Sequence, residues 1–484
     1  MIKRIVLIFS LLNVMPVFAD NVVWIVGGGY DLNSSQAQIE KNVIWAADAI
    51  NKTPNTDGTP KLNIFFSDGN DVARDVKVWQ PVDASESVLQ PLAMIYAAGD
   101  ENGIEYRNHE IKNVRGSTKR SELEPALNES FSKLKQGDRG LFIFNGHGSQ
   151  DKSNTANNKI LLWDHSSLDV NGFSNMLNNV DKRVPMRFVF TQCYSGGFER
   201  LVHPGAQDTN ELVDGQRCGF FAEAADRKAE GCSSGINIDD YRDYSTYFFA
   251  ALSGQTRQGK ALPVNPDRNN NDEVSLYEAH LYTLAQADST DLPRSTSEVY
   301  LERWQPWYLR WFFAGEGRGN VYAKLANDIA RDLRVPTDQS VQRSVISKKR
   351  RRLDRQDKKL QQERAQLKLA MKEVRFNIRY QLEKRWPELA KSRTEKYQQF
   401  INEQAAVVRK FILAHDSWPK LIAGYKRHQE ISAERLAIER KITRFDKLHR
   451  LNKLARLRQQ FEEHATPQQK ADYQQLLGCE KLPL

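Results

Sequence analysis

Five short apolar runs set the strongest constraint on what this chain can fold into. They read VVWIV (22–26), LNIFF (62–66), GLFIF (140–144), MRFVF (186–190) and GFFA (219–222). None alternates regularly between apolar and polar residues, so a strand made from any of them is buried on both faces. Helical patterns separate several of them, including AQIEKNVIWAADAI (37–50) and STKRSELEPALNESFSKL (117–134). The second has a Ser/Thr start, early acids and late lysines, the marks of a capped helix. SSLDVNGFSNMLNNV (166–180) reads as a further helix. Within the irregular stretch 67–117, GIEYRNHEIKNV (103–114) reads as a hairpin. Short buried strands separated by helices mean an α/β domain with a mainly parallel sheet flanked by helices.

In such a sheet, reactive groups gather where the carboxyl ends of the strands emerge. GGGYD (27–31), GHGS (146–149) and QCYSGG (192–197) each follow a strand directly, so they open onto one edge. The first is no dinucleotide fingerprint. Gly27 and Gly29 are present, but the third glycine of the pattern is replaced by Leu32, and no phosphate-binding Gly-Lys-Ser/Thr follows. The other two turns carry His147 and Cys193. His147 lies between Gly146 and Gly148, and Cys193 precedes Ser195, Gly196 and Gly197. A thiol attacks as the thiolate, and an imidazole is the usual proton acceptor. Glycine-bounded backbone can offer N–H donors to an oxyanion.

The ends of the chain differ in character. MIKRIVLIFSLLNVMPVFAD has a basic start, an apolar centre and a Val17-Phe18-Ala19 ending, the pattern of a signal peptide over residues 1–19. Its apolar run is shorter than the roughly 20 residues a membrane span needs, so the mature chain is expected to be exported, periplasmic or extracellular, with no transmembrane segment. Beyond residue 340, 35 basic residues face 17 acidic ones, a balance of +18. The rest carries −9 in a chain whose total is +9. Here glycine nearly disappears and Leu353, Leu360, Leu367 and Val374 recur every seven residues, with Met371 and Ile378 on the neighbouring seam. Two long antiparallel helices with a shorter middle segment, a helical hairpin or coiled coil, are expected. The basic tail implies an anionic partner, the acidic front part included, or simply a solvated helical surface. Few aromatics interleave with its basic residues, which disfavours nucleic acid. The division is therefore 1–19 signal peptide, 20–290 catalytic domain, 291–340 connecting segment and 341–484 basic helical tail.

Three further features stand out. Cys218 and Cys232 flank GFFAEAADRKAEG and are the natural disulfide pair in an oxidising compartment, with Cys193 apart. DRNNNDEVSLYE (267–278) spaces Asp267, Asn269, Asn271, Ser275 and Glu278 as in a calcium loop, yet Asp272 stands where the sharp turn needs glycine. The stronger reading is a turn in which Asp267 and Asn271 cap a helix starting near Val274. Trp304, Trp307, Trp311, Phe312 and Phe313 form an aromatic cluster, read as a seal between domain and tail rather than a stacking site. No metal or other cofactor is otherwise implied.

NGHGSQ (145–150) and TQCYSGG (191–197) resemble the two signature blocks of the caspase-like cysteine peptidases, with His before Cys. That group includes caspases, metacaspases, legumains, clostripain and the gingipains. CYSGG is nearest the metacaspase and bacterial caspase-like form, and residues 22–50 are similar to the first strand and helix of the legumain-like branch. The resemblance covers roughly residues 20–285. It implies a caspase-haemoglobinase fold with a six-stranded sheet. It also implies Cys193 as nucleophile, His147 as proton donor to the leaving amine, and the N–H groups of Gly148 and Cys193 as oxyanion hole. Metacaspases carry an acid two places before the nucleophile, where this chain has Thr191. The specificity wall is then sought at Asp226 or Glu223, in the loop after GFFA. Legumains carry an assisting Asn in the first loop, and Asn33 lies several residues late for that role.

An exported cysteine endopeptidase acting on protein or peptide substrates is therefore expected. The alternatives are a catalytically inactive caspase-like scaffold or assembly protein acting through its tail, and an anion-binding module. A related expectation is that the tail packs over the acidic domain and that SKKRRRLDR (347–355) is a self-cleavage site.

Overall fold

The computed structural model describes residues 20–53, 59–79, 88–96, 104–207, 209, 211–231, 234–307, 309, 317–391 and 394–484. The signal-peptide segment, Cys232, Trp311, Phe312 and Phe313 lie outside these residues.

The first half contains β1 (Asn21–Gly28), α1 (Ala37–Lys52), β2 (Lys61–Phe66), β3 (Val76–Trp79), α2 (Leu89–Tyr96), β4 (Ile104–Arg107), β5 (Val114–Gly116), α3 (Arg120–Ser132) and β6 (Arg139–Gly146). Then come β7 (Gly148–Ser149), β8 (Lys159–Leu162), β9 (Ser166–Asp169), α4 (Val170–Met176), β10 (Met186–Phe190) and β11 (Arg217–Phe221). The main sheet has seven strands in the order β12-β11-β10-β6-β1-β2-β5, where β12 is Arg294–Ser295. All its pairings are parallel except β11 with β12. All five apolar runs lie in strands of this sheet, and GFFA continues one residue past β11. The expected hairpin at 103–114 is not one. β4 pairs with β3 and β5 with β2, because each half finds its partner outside the segment. Of the helix expected at 166–180, the first four residues form β9 instead.

Side-chain alternation along these strands divides the core in two. Val22, Trp24, Val26, Phe142, Phe144, Phe188 and Phe190 pack on one face against α3 and α4. Val23, Ile25, Leu141, Ile143, Val189 and Phe220 face the other way, towards α1, α5 (Tyr244–Ser253) and α6 (Leu276–Gln286). This second cluster continues without a break into α7 (Thr296–Trp304), α8 (Val321–Asp332) and the part of the helical extension from Phe445 on. The extension consists of α9 (Gln339–Arg385), α10 (Glu395–Leu413), α11 (Trp418–His464) and α12 (Pro467–Glu480). Two 47-residue helices around a shorter one match the expected hairpin. The buried seam on α9 is Met371, Ile378 and Leu382, while Leu353, Leu360, Leu367 and Val374 are half-buried. Pro419 near the start of α11 needs no intrahelical N–H partner there, so the DSWPK break begins a helix.

The extension is built into the domain. Phe445, Leu448, Leu451, Leu454 and Phe461 of α11 belong to the domain's own core, and Trp304 meets Phe461 edge-on at 4.9 Å. Arg450 is buried and reaches Glu298 at 2.9 Å, Glu302 at 3.2 Å and the Pro293 carbonyl at 2.8 Å. Burial alone would raise the Glu298 carboxyl, but Arg450 and His280 hold it down at about 2. Arg187 of β10 is fully buried and donates to the Pro483 carbonyl at 2.6 Å. Cys218 is bonded to Cys479, 261 residues on, and not to Cys232. The reason is packing: Cys218 lies on the sheet face that α12 covers, so its partner comes from the far end of the chain. Among the described residues no helix is long and apolar enough to cross a membrane.

Two stability predictions follow from this junction. Cys479→Ser should lower unfolding free energy by about 2–5 kcal/mol, measured by chemical denaturation, because the bond closes so long a loop. Peptide mapping without reductant should join the Cys218 and Cys479 peptides. Arg450→Ala should cost about 3–5 kcal/mol by leaving Glu298 charged and buried without its partner. Arg450→Met combined with Glu298→Gln should recover most of that loss in the same assay.

Candidate functional site

Strand register brings His147 and Cys193 to the same edge of the sheet. β6 and β10 are neighbours, and Phe144 lies opposite Phe190 in the last pair of their ladder. His147 and Cys193 each follow three residues later, at the same edge. The two turns touch through backbone. A Cβ on Gly148 would lie 2.0 Å from the Cys193 carbonyl oxygen, so only glycine allows the approach. The Leu161 N–H donates to the His147 carbonyl, fixing the first turn to β8.

The loop after β1 orients the imidazole. His147 Nε2 lies 2.8 Å from the Ser34 carbonyl oxygen and 2.8 Å from Gln36 Oε1. Two acceptors at one nitrogen require the proton there, which leaves Nδ1 as the nitrogen with the lone pair. The Tyr30 ring stands edge-on at 6.0 Å. Burial pushes the His147 pKa down, opposed more weakly by the Ser34 carbonyl, so the ring is neutral at pH 7. Burial also pushes the Cys193 thiol up, with the Ala229 carbonyl at 3.7 Å as its hydrogen-bond acceptor. The resting pair is therefore thiol and imidazole rather than thiolate and imidazolium. Asn33 plays no part in holding the ring; its Oδ1 accepts from Tyr106 at 2.7 Å. Sequence reasoning missed Ser34 and Gln36, although both stand in the SSQ that follows Asn33.

The loop after β11 forms the wall beside Cys193. Tyr194 adopts a left-handed conformation (φ 61°) and its N–H donates to the Arg227 carbonyl. Asn158 clamps the two segments by donating to the Tyr194 and Ala225 carbonyls. Glu223 is buried. Its carboxylate accepts from the N–H groups of Ala224 and Leu292 and from Arg227 Nε, so it braces the loop. Thr191 turns inward to the Phe144 carbonyl and Asn145. Of the three residues considered for specificity, Asp226 alone is exposed. The extension grips the same loop: Arg440 of α11 pairs with Glu230, which in turn accepts from the Thr290 N–H.

The calcium-like loop lies elsewhere and spends its acceptors on itself. Asp267 accepts from the N–H groups of Asn270, Asn271 and Asp272. Glu278 accepts from those of Arg268 and Asn269 and closes a capping box with Ser275, whose side chain caps α6. The cap is thus Ser275, since Asp267 and Asn271 are both engaged within the preceding turn. A different group of potential ligands, Asp68, Asp75 and His109, sits beyond β2.

The elevated thiol has a measurable consequence. Alkylation of Cys193 by iodoacetamide should still be rising at about pH 9, with no plateau near neutrality. A plateau below pH 7 would mean a preformed ion pair with His147.

No family model and no curated protein matches this chain. Among solved structures, protein GSU0716 from Geobacter sulfurreducens matches with a TM-score of 0.32 and 10% identity, over 57% of this chain and 92% of that one.

Proposed function

We propose that this chain is an exported cysteine endopeptidase of caspase-like fold, with Cys193 as nucleophile and His147 as its proton partner. One observation carries the reading: a cysteine and a histidine oriented by two acceptors stand three residues past the last rung of adjacent parallel strands. The disulfide between Cys218 and Cys479 supports an oxidising compartment.

The chemistry follows from the protonation states. Because the thiol is held high and the imidazole low, attack and proton transfer are coupled. Cys193 Sγ adds to the scissile carbonyl while its proton passes to His147 Nδ1. The oxyanion is assigned to the N–H groups of Gly148 and Cys193, as in the family this chain resembles. His147 then gives the proton to the departing amine and a thioester remains. Water attacks the thioester, His147 takes up its proton, and the thiol is released reprotonated. Substrate preference on this reading is set in the 223–231 loop, where Asp226 is the exposed acid.

The competing reading is an inactive scaffold acting through its helices. It draws on the apolar stripe of Leu369, Phe376 and Tyr380 exposed on α9. Peptidyl acyloxymethyl ketones bearing Arg, Lys, Asn or Asp at the reacting position separate the two. The peptidase reading expects covalent labelling of Cys193 by at least one of them, and labelling by none overturns it. His147→Ala should lower kcat/KM by roughly 10²–10⁴. Gln36→Ala, which removes one orienting hydrogen bond, should lower it by about 5–10-fold.

A further inference from the structure

At the end of β2 the chain makes a constrained turn. Ser67 is fully buried with φ 37°, and Gly69 has φ 82°, where a Cβ would lie 2.5 Å from the Ser117 nitrogen. This turn holds Asp68 inside the protein, only 6% exposed. Among the described residues no hydrogen-bond donor reaches either of its carboxylate oxygens. Its neighbour is a second buried carboxylate, Asp75, which accepts from the His109 N–H at 2.7 Å and lies 2.9 Å from His109 Nδ1. One ligand atom from each of Asp68, Asp75 and His109 falls within 4.8 Å of the others. Two adjacent buried carboxylates, one of them without a donor, call for a positive charge between them.

We propose that Asp68, Asp75 and His109 bind a divalent first-row transition-metal ion of the zinc type. The donor set is one imidazole and two carboxylates, which suits such an ion. Calcium prefers six to eight oxygens at about 2.3–2.6 Å. Asp75 Oδ2 and His109 Nδ1 are a hydrogen-bonded pair 2.9 Å apart, and adjacent ligands of a tetrahedral ion with bonds of about 2.0–2.1 Å stand about 3.3 Å apart, so the pair need separate only a few tenths of an ångström to hold one. The His109 side chain is 13% exposed, which leaves a path for the ion and for a water as further ligand. On binding, Nδ1 gives up its proton and coordinates through its lone pair, with the ring proton on Nε2. Without an ion the ionised form of Asp68 is disfavoured; burial and the Asp75 charge push its pKa up to about 7.

The position gives the ion a structural consequence. Asp75 leads directly into β3, where the Lys77 N–H donates to the Ser35 carbonyl and Lys77 bridges to Gln36. Ser67, beside Asp68, shares a hydrogen bond with Ser35 at 2.8 Å. The ion therefore joins the segments that frame Gln36, one of the two acceptors on His147.

The test uses full-length, tag-free protein carrying Cys193→Ala, so that the thiol cannot compete for metal. Cobalt(II) chloride should bind at one equivalent with a visible d–d spectrum, and zinc chloride should displace it. Asp68→Asn and His109→Gln should each weaken that binding at least tenfold. Melting curves guard against misfolding. In EDTA, Asp68→Asn should melt at or above the parent, because Asn needs neither a proton nor a partner charge at that buried position. Excess zinc should raise the parent's melting temperature by several degrees and leave the variant unchanged. Absence of cobalt binding, or equal binding by both variants, overturns the site. Neither outcome bears on the labelling of Cys193, so the two readings fail separately.

Discussion

Both faces of the seven-stranded sheet must be kept from water, and the rest of the molecule follows from how that is done. α3 and α4 cover the face that carries Trp24, Phe142 and Phe188. The other face, with Val23, Leu141 and Phe220, packs on α1, α5 and α6 and on later parts of the chain. The last residues of the chain complete the cover: Leu448, Leu451 and Leu454 of α11 and Tyr473 and Leu477 of α12 join that cluster. Burial of this kind contributes roughly 25 cal/mol per Å² of apolar surface. The second half of α11 and α12 thus form part of the domain's own core, while the far half of α9, α10 and the start of α11 pack with α2 as a separate apolar cluster.

That arrangement gives the uneven charge a physical meaning. Basic residues of α11 meet acidic groups of the front part: Arg440 with Glu230, Arg444 with Asp332, Arg450 with Glu298 and Glu302, and Lys453 with Glu302. Part of the +18 and −9 division is therefore satisfied within the chain. Lys447 shows the cost of burial most clearly. It donates to the Ala287 carbonyl, and desolvation brings its pKa down to about 8. Its partners lie in the 285–293 segment that also supports the wall beside Cys193 through Leu292 and Glu223. Folding of the extension and shaping of the site are thus linked by shared contacts.

What the sequence made legible was whatever depends on local periodicity. The five apolar runs became strands of one sheet, and the three turns after them opened on one edge, because an unbroken apolar run has few alternatives to a doubly buried strand. What it hid depends on partners distant in the chain. Val114 pairs with Ile64 rather than closing a hairpin with Ile104. Cys218 reaches Cys479 because α12 crosses β11, which no local spacing encodes. Ser34 and Gln36 are ordinary loop residues until the turn after β1 folds beside His147. Glu223 read as a specificity acid because of its place after GFFA, yet Arg227 and two backbone N–H groups claim its carboxylate. A charged residue's role is set by what has already satisfied it, and that is a tertiary property.

Tertiary context also weighs against SKKRRRLDR as a self-cleavage site. Residues 347–355 lie inside α9, where every amide is engaged in helical hydrogen bonding apart from the helix ends. On the proposed reading, a segment cut at Cys193 must lie extended along the sheet edge. Cleavage there would need several residues of α9 to unwind, and the nucleation cost of helix formation makes partial unwinding within a long helix unfavourable. A cut in α9 would also free little. α11 remains held by Arg440 and Arg450, and α12 by the disulfide. The extension meets the Cys193 wall through side chains that stay in place, Arg440 against Glu230 among them.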